Sequence, residues 1–375
     1  MERKEYDILL VGAGLFNAVM AVQLANRGKR VLVIEKRKYV GGNCHTYLDN
    51  GIIVHAHGAH IFHTSDPEVW AFANKYDRFV PFVNSPVAMV NEDGKWVSYN
   101  LPFNMNTFSK LWGYVTPDAV QMKLDDEKSN YELPEYKNLE EKALGLVGPT
   151  IFNKFIKGYT EKQWGRSCAE LSPDIITRIP VRFTYDNNYF NDIWQGIPEH
   201  GYTSWITNML ANVEVRLGVD YLKDREYFDN LAEDVVYSGR IDEFFNYSHG
   251  KLPYRSLQFD IKTRETDNYQ GVAVVNYPGK EVPYTRVIEH RHFMRPEAQK
   301  DIPRDFTVIS KETPVEMSEE HEAYYPIVNP ESKKLYDTYM AMRPKNVYFA
   351  GRLGMFSYND MDDTIAKALE ISESF

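Results

Sequence analysis

Gly12-Ala13-Gly14 followed by an acid at Glu35 is a spacing that presses backbone against a pyrophosphate and offers a carboxylate to a ribose diol. The third position of that pattern is Asn17, where a Gly or Ala is usual. Lys36 and Arg37 then lead into Val40-Gly41-Gly42-Asn43. A Gly-Gly turn just past the acid favours FAD over a nicotinamide dinucleotide, and no second G-x-G-x-x-G is present for NADPH. His45, His55, His57, His60 and His63 come next. Their spacing is irregular, with no H-E-x-x-H and no cysteine pair, so no metal site is expected. Gly58-Ala59-His60 reads as a turn beside a flavin, whereas His45, His55 and His63 read as packing or surface residues.

A second group of residues suits a phosphorylated ligand. Gly158 to Arg166 (GYTEKQWGR) offers flat aromatic faces and hydrogen-bonding groups. Arg178, Arg182, Arg255, Arg286 and Arg352 carry the planar fork that binds two phosphate oxygens at once. Each of them singly reads as a surface or ion-pair residue. Tyr185, Tyr189, Tyr324, Tyr325 and Tyr358 could complete a phosphate shell, although most tyrosines in so rich a chain must be structural. No G-x-S-x-G, Walker loop, Ser/His/Asp set or carboxylate pair suggests hydrolase or glycosidase chemistry.

The elements that position these groups are legible in outline. Asp7 to Val11 reads as a buried strand, Ala18 to Gly28 as a helix and Arg30 to Ile34 as a second strand, a βαβ unit. SPVAMV, the turn NEDG and KWVSYNL form a predicted hairpin between 84 and 101. Thr107 to Gly165 reads as helical, and Ile179 to Phe190 as a strand. Tyr202 to Leu210 reads as a helix, with strands at Val213 to Leu217 and Val235 to Ser238. Residues 255 to 312 alternate as in an antiparallel sheet. A late strand, Asn346 to Ala350, runs into Gly351-Arg352 and a helix over Asp360 to Leu369, an arrangement that would close a flavin site. The nucleotide domain is therefore expected to be discontinuous.

Composition narrows the classes. With 375 residues and 43% hydrophobic residues the chain can form one large or two to three modest domains. Its formal charge of −10 argues against nucleic-acid binding, while local arginines could still hold an anionic small ligand. Two unpaired cysteines, Cys44 and Cys168, suit a reducing cytoplasm, and no apolar run is long enough to span a membrane or to act as a signal peptide.

Several long motifs go further: GYTEKQWGR (158–166), RIPVRFTYDNNYF (178–190), YQGVAVVNYP (269–278), PYTRVIEHRHF (283–293), GRLGMFSYNDMDD (351–363), GAHIFHT (58–64) and NSPVAM (84–89). With them the chain resembles the bacterial-type UDP-galactopyranose mutases from about Tyr6 to about Ile371. The resemblance implies an α/β fold: a discontinuous Rossmann-like FAD-binding domain (1–82, 202–246 and 335–375), an inserted helical domain (104–178) carrying the uridine site and a mobile loop, and a twisted antiparallel β-sheet domain (83–103, 179–201 and 247–334). It implies a cytoplasmic homodimer that interconverts UDP-galactopyranose and UDP-galactofuranose for cell-surface polysaccharide. N5 of reduced FAD would attack the anomeric carbon, UDP would leave, and UDP would return after ring contraction. A reductant such as NAD(P)H would keep the flavin reduced.

The resemblance also implies residue roles. Tyr159 would stack the uracil, with Phe155, Thr160 and Asn84 around the nucleoside, and Trp164 would line the sugar pocket. Arg178 on the mobile loop and Arg286 on the sheet would hold the diphosphate, helped by Tyr189, Tyr325 and Tyr358, while Tyr185 and Asn276 would also contact the substrate. Gly12, Gly14, Leu15, Glu35, Lys36, Gly42, Asn43, Ile61, Val219, Gly351, Arg352, Tyr358, Asp360 and Met361 would hold FAD, with His60 against the flavin ring. Two positions depart from the family pattern: Asn17, and His57, where another aromatic is more usual. Other readings remain open at this point: a flavin oxidoreductase of the amine-oxidase-like class, a UDP-hexosamine variant of the mutase, and a non-catalytic binder of nucleotide sugars.

Overall fold

Tyr6–Val11 lies at the centre of a five-stranded parallel sheet. The sheet order is Glu214–Leu217, Val31–Glu35, Tyr6–Val11, Ala232–Tyr237 and Val347–Phe349. The computed structural model describes residues 4–176, 180–303 and 305–375. Both faces of this sheet are covered at its centre, so Tyr6–Val11 and Val31–Glu35 are largely apolar and their alternation separates two cores, whereas the edge strand Glu214–Leu217 is charged and partly exposed. Ile8, Leu10, Val31 and Val33 join one core with the helices Leu15–Asn26 and Met361–Ser372. Leu9, Leu32 and Ile34 join the other with Phe228, Phe244 and Tyr339. One neighbour of the first strand, Val31–Glu35, follows it in sequence and the other, Ala232–Tyr237, comes from far later in the chain, so the strand order reverses there and opens a crevice at the carboxyl ends of the strands, where α/β sheets bind ligands.

The second sheet has seven strands, in the order Tyr325–Pro326, Tyr254–Arg264, Thr307–Glu316, Arg286–Glu289, Val274–Asn276, Val87–Glu92 and Lys95–Asn100. It is antiparallel except at one join, where Val275 and Asn276 pair in parallel with Val87 and Ala88. The Val87–Asn100 hairpin turns through Asp93 (φ 52°) and Gly94 (φ 84°), the two left-handed residues that a tight hairpin turn requires. Trp194–Pro198 stands apart from this sheet and pairs with Phe62–Thr64 and Phe79–Pro81 in a small antiparallel sheet.

The helical segment contains Met105–Trp112, Pro117–Lys128, Leu139–Ile151 and Lys157–Trp164. A π-helical turn, Phe152–Ile156, feeds the last of these helices. Such turns are frequent at functional sites because they re-aim side chains. Phe155 lies within this turn and Tyr159 just after it.

The strand expected over 179–190 does not form among its described residues; Val181 makes only an isolated bridge with Phe103. The main chain there is committed elsewhere. Arg182 N–H donates to the Phe103 carbonyl (2.9 Å), Met105 N–H to that of Thr184 (2.9 Å) and Tyr189 N–H to that of Asn84 (2.8 Å). Asn104 caps its helix through Oδ1 and donates from Nδ2 to the Asp186 carbonyl (2.8 Å). Short amide side chains compete with strand ladders in this way, and the apolar alternation of the segment did not reveal it. Among the described residues no helix is long and apolar enough to cross a membrane.

Candidate active site

The glycines at the end of the first strand make a tight backbone cradle. Gly12 has φ 100°, and a Cβ there would collide with Ser238 Oγ. A Cβ on Gly42 would stand 3.1 Å from Gly14 Cα. Gly41 N–H donates to the Ala13 carbonyl (2.8 Å), tying the two glycine turns together. The helix Leu15–Asn26 starts at Gly14 with no side-chain cap and no acid in its first turn, so its free N–H groups and dipole are available to a pyrophosphate. Glu35 is buried; Oε2 accepts from Ala13 N–H (2.8 Å) and Oε1 from Arg37 N–H (2.7 Å). The acid thus fixes both loops while each oxygen keeps a lone pair for a ribose. Val219 N–H donates to the Glu35 carbonyl (2.8 Å), which brings Val219 beside it, and Lys36 is mostly exposed near Asp220.

Asn17 does more than occupy the third position of the fingerprint. It is fully buried, and Nδ2 donates to the carbonyls of Val11 and Gly12, both at 2.9 Å. The side chain substitutes two hydrogen bonds to the turn for the close helix–strand approach that a glycine permits.

Gly351 (φ 66°), Arg352 and the start of the helix Met361–Ser372 close the other side. Met361 Sδ lies 3.8 Å from Cys44 Sγ in the Gly42–Cys44 turn, which also holds Asn43. The Arg352 guanidinium lies over the rings of Tyr325 (5.4 Å) and Tyr358 (5.0 Å). Asp360 caps the final helix without a side-chain bond.

Arg286 organises the region next to this cradle. Its Nε lies 2.6 Å from Glu312 Oε2, and the two residues are cross-strand partners. Burial is the largest single influence and works against the guanidinium charge, but the Glu312 carboxylate, together with Tyr159 and Tyr325, raises the pKa above the usual arginine value. Because Glu312 takes Nε, both terminal nitrogens remain for an anion. Glu312 Oε1 has no partner among the described residues, and Gly58 (φ 97°) packs against it so closely that a Cβ would come within 2.6 Å. The Arg286 charge acts on Tyr159, Tyr189 and Tyr325. Burial pushes Tyr159 up to about 12 and raises Tyr189 and Tyr325 as well, so all three remain neutral donors.

Phe155, Tyr159, Thr160, Tyr189 and Asn276 line one cavity of about 270 Å³, walled by Ala88, Leu101 and Phe103. Asn84 is buried and accepts at its carbonyl from Tyr189 N–H. Trp164 packs half-buried against the helical core. Tyr185 is not brought to the cluster: it is 56% exposed and its hydroxyl donates to the Val115 carbonyl (3.3 Å). Arg178 lies outside the described residues.

The remaining arginines separate clearly. Arg182 donates to the carbonyls of Asn188 and Tyr189, and Arg255 to those of Gln163 and Lys162, so both hold the chain to itself. Lys162 is likewise structural, donating to the carbonyls of Tyr277 (2.6 Å), Val282 (3.3 Å) and Tyr284 (2.8 Å); burial lowers its pKa to about 8.

The histidines are largely internal. His60 Nδ1 lies 2.8 Å from the Gly58 carbonyl. Burial lowers its pKa to about 4, against the opposing pull of that bond and with help from Arg352 and Arg286. His57 sits between Tyr324 Oη (2.7 Å) and Tyr39 Oη (3.1 Å), and burial lowers it to about 3. His63 stacks on Phe190 and pairs with Asp192, and His45 stacks on Tyr39. Among the described residues no cluster of His, Cys, Asp or Glu could hold a metal ion. The roles of Lys162 and His290 went unread although both lie in motifs singled out in the sequence, and Glu312, polar within an otherwise buried strand, gave no other signal.

Comparison with known proteins places this geometry. Residues 154–358 match the family described as UDP-galactopyranose mutase, and residues 10–76 an NAD(P)-binding Rossmann-like domain. The chain is 38% identical to a probable UDP-galactopyranose mutase of Klebsiella pneumoniae, over 98% of this chain and 94% of that one. It is 35% identical to a dTDP-fucopyranose mutase of Escherichia coli, over 98% of each. Among solved structures, a reduced UDP-galactopyranose mutase shares the fold with a TM-score of 0.73 at 15% identity, covering 98% of this chain and 95% of that one. A redesigned putrescine oxidase shares it more loosely, with a TM-score of 0.60 at 12% identity over 98% of each.

Proposed function

Because the chain belongs to the UDP-galactopyranose mutase family, we propose that it is a flavin-dependent isomerase interconverting UDP-galactopyranose and UDP-galactofuranose. The observation that carries this reading is Arg286, tethered through Nε by Glu312 and acting on three half-buried phenols, two of which line a cavity of nucleoside size. The residues present fit FAD: a glycine cradle that any Cβ would fill, an uncapped helix N-terminus and a buried acid next to both. Bound and reduced, FAD supplies the nucleophile for the anomeric carbon.

The protein supplies orientation and charge. When the bond to the anomeric carbon breaks, negative charge grows on the departing UDP. Arg286 and the phenols of Tyr159, Tyr189, Tyr325 and Tyr358 are disposed to stabilise it and to hold UDP for its return. Tyr159 and Phe155 offer the uracil a stacking surface, and Thr160, Asn276 and Asn84 offer hydrogen bonds. Arg178 is proposed to add a second cation from its loop and to help keep water out during reaction. His60 is neutral at working pH and contributes an uncharged ring near the flavin.

The test is to incubate the protein with UDP-galactofuranose, with and without dithionite, and to follow UDP-galactopyranose. Product in the reduced sample alone supports the isomerase; stoichiometric consumption of oxygen or NAD(P)H would support an oxidoreductase instead. The dTDP-fucopyranose mutase relative motivates a second reading in which the base is thymine. The walls Ala88, Leu101 and Phe103 are apolar and suit a methyl group on the base. Competition between UDP and dTDP for the reduced enzyme discriminates the two.

A further inference from the structure

Beneath the Gly58-Ala59-His60 turn lies a second layer of histidine that the proposed chemistry does not use. His60 N–H donates to His55 Nδ1 (3.1 Å). His55 N–H in turn donates to His290 Nδ1 (3.2 Å), and His290 Nε2 lies 3.0 Å from Ser310 Oγ. Both rings are buried, His55 at 1% exposure and His290 at 0%.

These contacts fix the protons. A ring nitrogen that accepts a backbone N–H carries no hydrogen, so the single proton of each neutral ring sits on Nε2. His290 donates that proton to Ser310. His55 Nε2 has no partner among the described residues. The His60 ring is held the other way round: Nδ1 faces the Gly58 carbonyl and must carry the proton, leaving the Nε2 lone pair without a partner among the described residues.

The unpartnered Nε2–H makes His55 informative. Its ring stacks on Phe293 (4.7 Å, 20°) and meets Tyr202 edge-on (5.6 Å, 88°). A phenylalanine would fill the same stack without burying an unpaired donor. Only the Nδ1 acceptor distinguishes the histidine, and that acceptor is spent on His60 N–H. Tyr202 also meets the His60 ring edge-on (6.2 Å, 66°), so the two histidines share one wall.

We infer that His55 and His290 are positioning residues: two neutral imidazoles, each accepting a backbone N–H at Nδ1, that fix the Gly58–His60 turn against the cofactor and hold His60 as the Nδ1–H tautomer. The role rests on the flavin reading only for what the turn touches; the tautomers themselves do not depend on it. Burial keeps all three rings uncharged, with His60 lowered to about 4, His290 to about 3 and His55 well below its usual value, so the arrangement persists through neutral pH. Among the described residues no carboxylate bonds to the His55 ring; Glu289 is the charged group that raises His290, and Arg352 and Arg286 act on His60.

Two measurements test this. Two-bond 1H–15N correlation spectra of the histidine-labelled, ligand-free full chain should show Nε2–H for His55 and His290 and Nδ1–H for His60. Any of the three in the opposite tautomer overturns the inference. His55→Asn keeps an acceptor in the Nδ1 position but loses the stack, whereas His55→Phe keeps the stack and loses the acceptor. Loss of one such hydrogen bond predicts FAD binding about tenfold weaker in His55→Phe, and near wild type in His55→Asn. The flavin reduction potential should follow the same order. A packing role predicts the reverse order, and the reverse order or equal behaviour of the two variants overturns the positioning role. If the wild-type chain binds no flavin, the flavin reading fails, and the tautomer spectrum alone decides the inference.

Discussion

Replacing Arg286 with alanine is the obvious test of the proposed diphosphate site, and the structure says that it perturbs more than binding. Glu312 is 1% exposed, its Oε1 already lacks a partner among the described residues, and its Oε2 is held by Arg286 Nε at 2.6 Å. Arg286→Ala leaves a carboxylate buried and uncompensated, which costs about 3–5 kcal/mol for a fully buried pair. The Arg286 side chain is 28% exposed, so water enters more easily and about 3 kcal/mol is the reasonable expectation. For a chain of 375 residues the unfolding entropy is about 0.8 kcal/mol/K, so the melting temperature of the ligand-free protein should fall by about 4 °C. The double variant Arg286→Ala/Glu312→Gln removes the stranded charge and should recover most of that loss, while turnover of UDP-galactofuranose under dithionite stays near zero in both. Calorimetry of the ligand-free variants and a reduced-enzyme assay separate the two effects. Equal melting temperatures for wild type and Arg286→Ala, or no recovery in the double variant, would refute the argument that Arg286 holds Glu312 in place.

Asn17→Gly restores the usual fingerprint residue yet should destabilise the protein by about 2 kcal/mol, because two bonds to the turn are lost and a glycine enters a helix; urea unfolding measures it. The lowered histidines give a pH dependence whose sign is fixed. They are neutral when folded, while in the unfolded chain they take up protons below about pH 6.5, so stability should be level above neutrality and fall as the pH drops toward 4. Unfolding free energies unchanged between pH 7.5 and pH 5 would contradict this. Lys162→Met strips three carbonyls of their donor and should loosen the 277–284 segment against the helix bearing Tyr159, weakening UDP binding by about tenfold; titration calorimetry with UDP reads it. Arg178→Ala should abolish turnover with FAD still bound, and wild-type kcat would remove Arg178 from the proposed diphosphate clamp.

How much of this was legible in the sequence depended on range. The dinucleotide unit was legible because strand, glycines, helix and acid are local and their spacing is the geometry. The residues around the cavity were reached through long motifs, and Phe155, Tyr159, Thr160, Tyr189 and Asn276 do line one space. What sequence could not reveal was which polar groups are already engaged. Arg182 and Arg255 looked the same as Arg286 until their carbonyl partners appeared. Glu312 was invisible because its partner lies across a strand pairing, and His55 passed for a packing residue because its acceptor role runs through a backbone N–H five residues on. The 179–190 segment alternates like a strand, but over 180–190 the Asp186 and Asn187 side chains and distant carbonyls hold it as loop.

The order of the parallel sheet bears on how the chain must be made. Its edge strand, Val347–Phe349, pairs with Ala232–Tyr237, and the final helix packs on the helix Leu15–Asn26, where Arg27 Nη1 donates to the Ser372 carbonyl (2.5 Å). The glycine cradle leaves the ribosome well before its wall and cover. Until the C-terminus emerges, Ala232–Tyr237 presents an unpaired apolar edge, the kind of template on which chains associate. A chain ending near residue 330 should therefore aggregate rather than fold into a smaller nucleotide-binding unit, and recovery of the intact protein during expression should be sensitive to how quickly those last forty-odd residues arrive.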